Sequence, residues 1–322
     1  MQTFKELQSI YLGYLESETI KKSPQKLYNP VNYIMNLGGK RIRPILALMS
    51  YNLFQKDLKK ALPLAHAIEM FHNFSLVHDD IMDEAALRRG KPSVHHKYDI
   101  NTGILSGDVM LIKTYEYLAS LKSERTLEII STFNQVARKV CEGQQMDMDF
   151  ETRNDVDISE YLTMIEFKTA ILLAGALKMG AILGNASSTQ CDLLWDYGIN
   201  IGLAFQLQDD ILDVYGDPET FGKKVGGDII QNKKTFLMLS LISRMKQDDY
   251  KRFLSTSILN DDDKISNVKA LYNQYEIKKL AEAKMNTYYQ KAHSAITKLK
   301  LDVDRNTREI EILTSKLMQR IS

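Results

Sequence analysis

The sequence predicts an all-α protein, and three observations carry that expectation. Apolar residues recur at helical spacing nearly everywhere, as in Leu62, Ala65, Ile68 and Glu69 through His72 to Leu76, whereas alternating β-branched segments are few and no strand set emerges. Proline is absent between Pro92 and Pro218. The interruptions are short: "RRGKPSVHHKYD", "GNASSTQ", "YGDPETFGKKVGGD" and "LNDDDKIS". With no long polar or Pro/Gly/Ser-rich linker, the pattern divides into about ten helices in one domain covering residues 1–322.

The opening "MQTFKELQSIYLGYLESE" mixes charges through its apolar residues and lacks the uninterrupted apolar core of a signal peptide. Cys141 and Cys191 are the only cysteines and lie far from any metal-ligand spacing, so the chain suits a reducing, cytoplasmic setting. Next come "GGKRIRP" at 38–44, the helical run from Leu62, and the acidic "SLVHDDIMDE" at 75–84. "LRRGKP" follows at 87–92. His95 and His96 lack the cysteine or third ligand that a zinc site needs. "AILLAGALKMGAILG" at 170–184 is broken by Lys178 and falls short of the ~20 residues of a membrane span, so it reads as a buried helix and the chain has no integral membrane segment. A second acidic stretch, "FQLQDDILDV", occupies 205–214, and the basic "FGKKVGGDIIQNKKT" occupies 221–235. Asp261, Asp262 and Asp263, between Asn260 and Lys264, read as a solvated loop. Lys plus Arg number 42 against 41 Asp plus Glu, so nothing in the overall charge points to nucleic acid or an anionic membrane.

The two acidic stretches share Asp-Asp-Ile-x-Asp. On a helix, residues four apart lie one above the other, so Asp79 with Asp83, and Asp209 with Asp213, each set two carboxylates on one face. Such pairs repel, and aspartate is a poor helix former. A solvated acidic face would not be framed by "SLV" and "IL", so something else must offset the cost. Divalent cations do so, and all-oxygen ligands favour magnesium or calcium. Magnesium is commonly held by one or two carboxylates plus substrate phosphates, which implies a phosphorylated ligand. Three clusters joining glycine to basic side chains, two of them following the acidic motifs, fit a diphosphate: glycine permits close approach, and arginine offers bidentate contacts.

Two "DDxxD" motifs with "GGKRIR", "RRGKP" and "GKK" in this order resemble the trans-isoprenyl diphosphate synthases of the polyprenyl synthetase family, from about "LGGKRIRP" to "NKKTFL". The resemblance implies the all-α isoprenoid synthase fold around a central cavity, a homodimer, and condensation of an allylic diphosphate with isopentenyl diphosphate. Three Mg2+ ions would be held by Asp79, Asp83 and Asp209, with Asp80, Asp210 and Asp213 completing the metal set. Arg88, Lys168, Lys223 and Lys233 match the holders of the allylic diphosphate, and Lys40, Arg43, His72 and Arg89 the isopentenyl diphosphate pocket. Lys168, Thr169 and Gln206 match the groups at the reacting centre. Gln144 and Asp147 fit "GQQMD", with Asp147 orienting a basic side chain. Phe71, Phe74 and Ser75 are the chain-length candidates: an aromatic five residues before the first aspartate with Ser75 beside it resembles enzymes making geranylgeranyl diphosphate, while Phe71 favours the shorter farnesyl product. A terpene cyclase would need no isopentenyl pocket, and a noncatalytic partner subunit typically loses motif aspartates. An unrelated di-metal bundle would show Glu-x-x-His pairs. The tail "SKLMQRIS", with only Lys316 and Arg320, puts closure of the pocket by the C-terminus in doubt.

Overall fold

The computed structural model describes residues 2–217, 225–301 and 307–318. Lys223 and Arg320, and the side chain of Lys316, lie outside the described set. The fold is all-α as expected, and the described residues fall into two compact units, each assembled from three stretches of chain: 1–135, 175–195 and 299–311 in the first; 136–174, 196–298 and 312–322 in the second. No single cut in the sequence separates them.

In the first unit, the Phe4–Ser17 helix opens on a capping box between Thr3 and Glu6. The Leu62–Met82 helix packs chiefly against Ile100–Ala119 and Ile42–Asn52. Val31, Ile34, Met70, Val77, Val94 and Met110 form a core there, each worth about 1.5–3 kcal/mol when fully buried. Unusually for a core helix, Leu62–Met82 also buries polar groups: His66, Glu69, Asn73 and Asp80. In the second unit, Tyr161, Leu203, Leu207, Ile211, Leu237, Leu271 and Ile277 belong to one buried cluster.

The stretch at 170–184 is buried, with Lys178 reaching Asp192 at 2.8 Å. No helix among the described residues is long and apolar enough to cross a membrane. Two expectations change. The acidic run at 261–263 is not loop but the first turn of the Asp261–Gln274 helix, N-capped by the Asn260 side chain accepting from Asp263 N–H; carboxylates at a helix N-terminus each gain about 0.3–1 kcal/mol. The chain also has one small antiparallel ribbon, Leu87–Arg88 with Lys91–Pro92. Its two-residue turn places Arg89 and Gly90 both at positive φ, the requirement of a type I′ hairpin, which "RRGK" meets by supplying glycine at the second position.

Candidate active site

The first acidic motif ends the Leu62–Met82 helix. Asp83 caps it, its N–H bonding to the Asp79 carbonyl at 2.9 Å, so the two side chains stand one helical turn apart. Asp83 is exposed and Asp79 partly so. Asp80 differs: it is fully buried and takes the Arg88 guanidinium on both oxygens, Nε at 2.9 and 3.2 Å with Nη2 on Oδ1 as well. Burial pushes its carboxyl above the usual range while Arg88 pulls it back. Arg88 Nη2 also stands 3.7 Å from Asp79.

The ribbon sends the adjacent arginines to different neighbourhoods. Arg88 goes to the aspartates, while Arg89 Nη1 bonds the Gly38 carbonyl. Gly39, at φ +112°, holds a conformation that residues with a side chain rarely adopt, and a Cβ there would crowd the Arg89 guanidinium at 3.0 Å. Arg43, on the Ile42–Asn52 helix, donates from Nη1 to His72 Nε2 at 3.2 Å; an arginine cannot accept, so that nitrogen carries no proton. Burial and the charges of Arg43, Arg89, Arg88 and Arg41 hold the His72 imidazole far below its ordinary pKa. Arg43 is itself brought down to about 10 by burial. Three of the four residues read as an isopentenyl diphosphate pocket, Arg43, His72 and Arg89, thus form one cationic cluster. Lys40 lies exposed in the same loop, its carbonyl fixed by Gln8 at 3.2 Å.

In the second unit, Gln206, Asp209, Asp210 and Asp213 follow one another along the Ser188–Tyr215 helix. Asp210 is buried and accepts from the Tyr161 hydroxyl on one oxygen and from Gln206 Nε2 on the other at 3.2 Å. Burial pushes it up to about 7, opposed by the Tyr161 bond and assisted by Asp228. Asp213 accepts the Asp228 N–H at 3.0 Å, and its carbonyl accepts Gly226 N–H at 2.6 Å, tying "GGD" to the helix end. Lys233 stands 3.6 Å from Asp228.

Lys168 and Thr169 sit in a five-residue π-helical turn, Glu166–Ala170, a distortion frequent at functional positions. The turn fits because residue 143 is glycine: a Cβ there would meet the Lys168 backbone nitrogen at 2.4 Å. Lys168 pairs with Asp147 at 2.5 Å, and Thr169 Oγ1 donates to Gln206 Oε1 at 3.2 Å. The basic side chain that Asp147 orients is therefore Lys168. Gln144 Nε2 is buried with no hydrogen-bond partner among the described residues, a donor left over for a ligand or water.

Phe71, Phe74 and Ser75 share a helical face with His78 and Asp79. Phe74 is half-buried, its ring 5.6 Å from Phe71 and 4.8 Å from His78. Phe71 meets Phe133 edge-on at 5.1 Å. Sequence reasoning missed Phe133, Tyr161, Asp228 and the buried Arg41–Glu69 pair. Arg41, inside "GGKRIRP", and Asp228, inside "FGKKVGGDIIQNKKT", lay in stretches that carried a signal.

The carboxylates suit magnesium. Asp79 and Asp83 offer hard oxygens one turn apart, and among the described residues no three acidic, histidine or cysteine side chains gather to bind a metal unaided. An ion that completes its shell from substrate phosphates and water matches that donor count. Asp80 and Asp210, grouped with the metal set on sequence, also accept hydrogen bonds from protein donors on both oxygens.

The chain matches the polyprenyl synthetase family over residues 24–275. It is 41% identical over 223 residues to a geranylgeranyl diphosphate synthase of Methanosarcina mazei, covering 69% of each chain. To a short chain isoprenyl diphosphate synthase of Methanothermobacter thermautotrophicus it is 39% identical over 286 residues, covering 86% of this chain and 88% of the relative. A crystal structure of a geranylgeranyl pyrophosphate synthase superposes with a TM-score of 0.92 at 44% identity, covering 100% of this chain and 99% of the other. On the family match and on relatives of this identity and coverage, the chain belongs to the polyprenyl synthetase family of prenyltransferases.

Proposed function

We propose that this prenyltransferase joins an allylic diphosphate to isopentenyl diphosphate in trans, head-to-tail elongation, as one domain over residues 1–322. The observation that carries the reading is the divergence of neighbouring arginines: Arg88 on Asp79 and Asp80, Arg89 with the loop before Arg43 and His72. One cationic group is committed to an acidic, metal-binding helix end and the other to a metal-free anion pocket, which suits two diphosphates of different roles.

Asp79, Asp83 and Asp209 would hold three Mg2+ ions, which when bound neutralise the charge gathering on the leaving diphosphate. Asp80 holds Arg88 in place, and Asp210 fixes the amide of Gln206. Asp213 anchors the segment that leads to Lys233. Arg88, Lys168, Lys223 and Lys233 would grip the allylic diphosphate, with donors already directed at the oxygen that departs. Thr169 and Gln206 would present oxygen dipoles to the positive charge left on the allyl group; its capture by the isopentenyl double bond forms the new C–C bond, and the departed pyrophosphate would take the proton that the resulting cation sheds. Lys40, Arg43, His72 and Arg89 would hold the isopentenyl diphosphate.

The product proposed is geranylgeranyl diphosphate, with farnesyl diphosphate as the shorter possibility; Natronomonas pharaonis supplies a relative named geranylfarnesyl diphosphate synthase, 39% identical over 236 residues. A cytoplasmic homodimer is the proposed working form. Ile104, Leu105, Ile112 and Tyr115 leave an exposed apolar stripe on the Ile100–Ala119 helix that a second copy would cover. Pyrophosphate release from isopentenyl diphosphate with dimethylallyl, geranyl or farnesyl diphosphate in turn, with Mg2+, tests the reaction. Release only when both are present supports elongation, release from the allylic substrate alone indicates a cyclase, and no release indicates a noncatalytic subunit.

A further inference from the structure

"GGKRIRP" contains three basic residues, and the anion pocket uses only Lys40 and Arg43. Arg41 sits between them in the left-handed region, φ 54° and ψ 36°, a conformation that is unfavourable for a non-glycine residue. Something must hold it there. Its guanidinium is buried, 2% exposed, and is taken up by protein acceptors: Nη1 donates to Glu69 Oε1 at 2.5 Å and Nη2 to the Met35 carbonyl at 2.5 Å. Glu69 is equally buried and takes a further bond from Asn73 Nδ2 at 3.1 Å.

These contacts join three pieces of backbone. Met35 ends the Gln25–Met35 helix, Arg41 starts Ile42–Asn52, and Glu69 with Asn73 belongs to Leu62–Met82, where His72 also lies. The loop between the first two carries Gly38, which Arg89 holds, and Lys40. Two residues after Arg41 comes Arg43, on His72. We infer that Arg41 and Glu69 are positioning residues for isopentenyl diphosphate: their buried ion pair pins the left-handed corner of the loop, so that Lys40 and Arg43 face one anion together with His72 and Arg89. The inference rests on the proposed pocket.

The physics of buried pairs supplies the test. Removing one partner strands a charge in the core, whereas replacing both by apolar residues of similar size is often neutral or stabilising. The double variant Arg41→Met with Glu69→Leu therefore keeps a packed core while removing the pin, and Arg41→Lys keeps the charge but loses the two-pronged contact. Positioning predicts a KM for isopentenyl diphosphate raised about tenfold or more in the double variant, less in Arg41→Lys, with KM for the allylic diphosphate and kcat changed by less than about threefold. Restoring both residues one at a time should not restore the KM, since neither acts alone. A folded double variant with wild-type KM for isopentenyl diphosphate overturns the inference; should that variant fail to fold, a wild-type KM in Arg41→Lys overturns it equally. Arg43→Ala serves as the separate control. If it leaves the same KM unchanged, the pocket itself is misassigned; if it raises that KM while the double variant does not, only the positioning role fails.

Discussion

Phe74→Ala should lengthen the product and leave the protein folded. If Asp79 marks the mouth of the channel, Phe74 lies roughly 7.5 Å and Phe71 roughly 12 Å deeper along the Leu62–Met82 helix, at 1.5 Å per residue. The two rings are not equivalent in packing. Phe71 is 1% exposed and wedged against both Phe74 and the edge of Phe133, so its truncation should cost about 3–5 kcal/mol. Phe74 is half-buried and keeps His78 beside it, so truncation should cost roughly half as much, about 2 kcal/mol. A domain with ~5–15 kcal/mol of stability tolerates the single change, whereas Phe71→Ala with Phe74→Ala removes roughly 5–7 kcal/mol and needs assay at reduced temperature. The expected sequence is longer products from Phe74→Ala and longer still from the double variant, read by chromatography of the dephosphorylated products with circular dichroism melting in parallel. An unchanged chain length from folded, active Phe74→Ala removes Phe74 as the floor; lengthening that needs Phe71→Ala moves the floor to Phe71.

Three further outcomes are expected. Asp79→Ala or Asp209→Ala should lower kcat about a thousandfold or more by losing leaving-group stabilisation worth several kcal/mol, and near-normal turnover with Mg2+ present would refute the metal assignment. Arg43→Ala should mainly raise KM for isopentenyl diphosphate and Arg88→Ala the allylic side, the latter with a stability loss of about 3–5 kcal/mol because Asp80 is left charged and buried; identical kinetic defects toward both substrates would contradict the division. His66 is buried among Tyr11, Tyr14 and Tyr117, and burial, then Lys113 and Arg41, lower its pKa to about 3. Unfolding lets it take a proton below its ordinary value near 6.5, so stability should fall as pH drops from there toward 3, by roughly 2 kcal/mol at pH 5. Urea midpoints should show His66→Phe losing less stability than wild type between pH 7 and 5, and parallel curves would rule out His66 as the source.

The parts of this protein that sequence exposed were those whose signal is local. Helical periodicity and the four-residue spacing of Asp79 and Asp83 depend only on neighbours, and both appear in the structure. What stayed hidden depends on distant partners. The three aspartates of each motif look alike on paper; Asp80 is set apart by Arg88 eight residues later, and Asp210 by Tyr161, 49 residues earlier. The π-helical turn at 166–170 is one register shift in a backbone ladder, fitted by a close approach at Gly143 that no pattern in the turn itself announces. The acidic run at 261–263 failed for another reason: an asparagine followed by aspartates describes a solvated turn and a capped helix start equally well.

The basic residues of the site divide by how their charge is balanced before any substrate arrives. Arg88 is bonded to Asp80 and Lys168 to Asp147, and the exposed Lys233 stands more loosely beside Asp228, so each has a carboxylate to balance it. Arg43 and Arg89 form no ion pair among the described residues: burial lowers both, the charge of Glu69 opposes that shift, and both arginines depress His72. Cationic groups with no carboxylate bonded to them have donors to offer an anion directly. In the proposed site the paired ones would act as geometry, presenting donors to a diphosphate whose charge bound cations would share. That difference is what two substrates of equal charge and unequal fate require, since the one that must ionise needs a leaving group stabilised progressively, and the other needs only to be held.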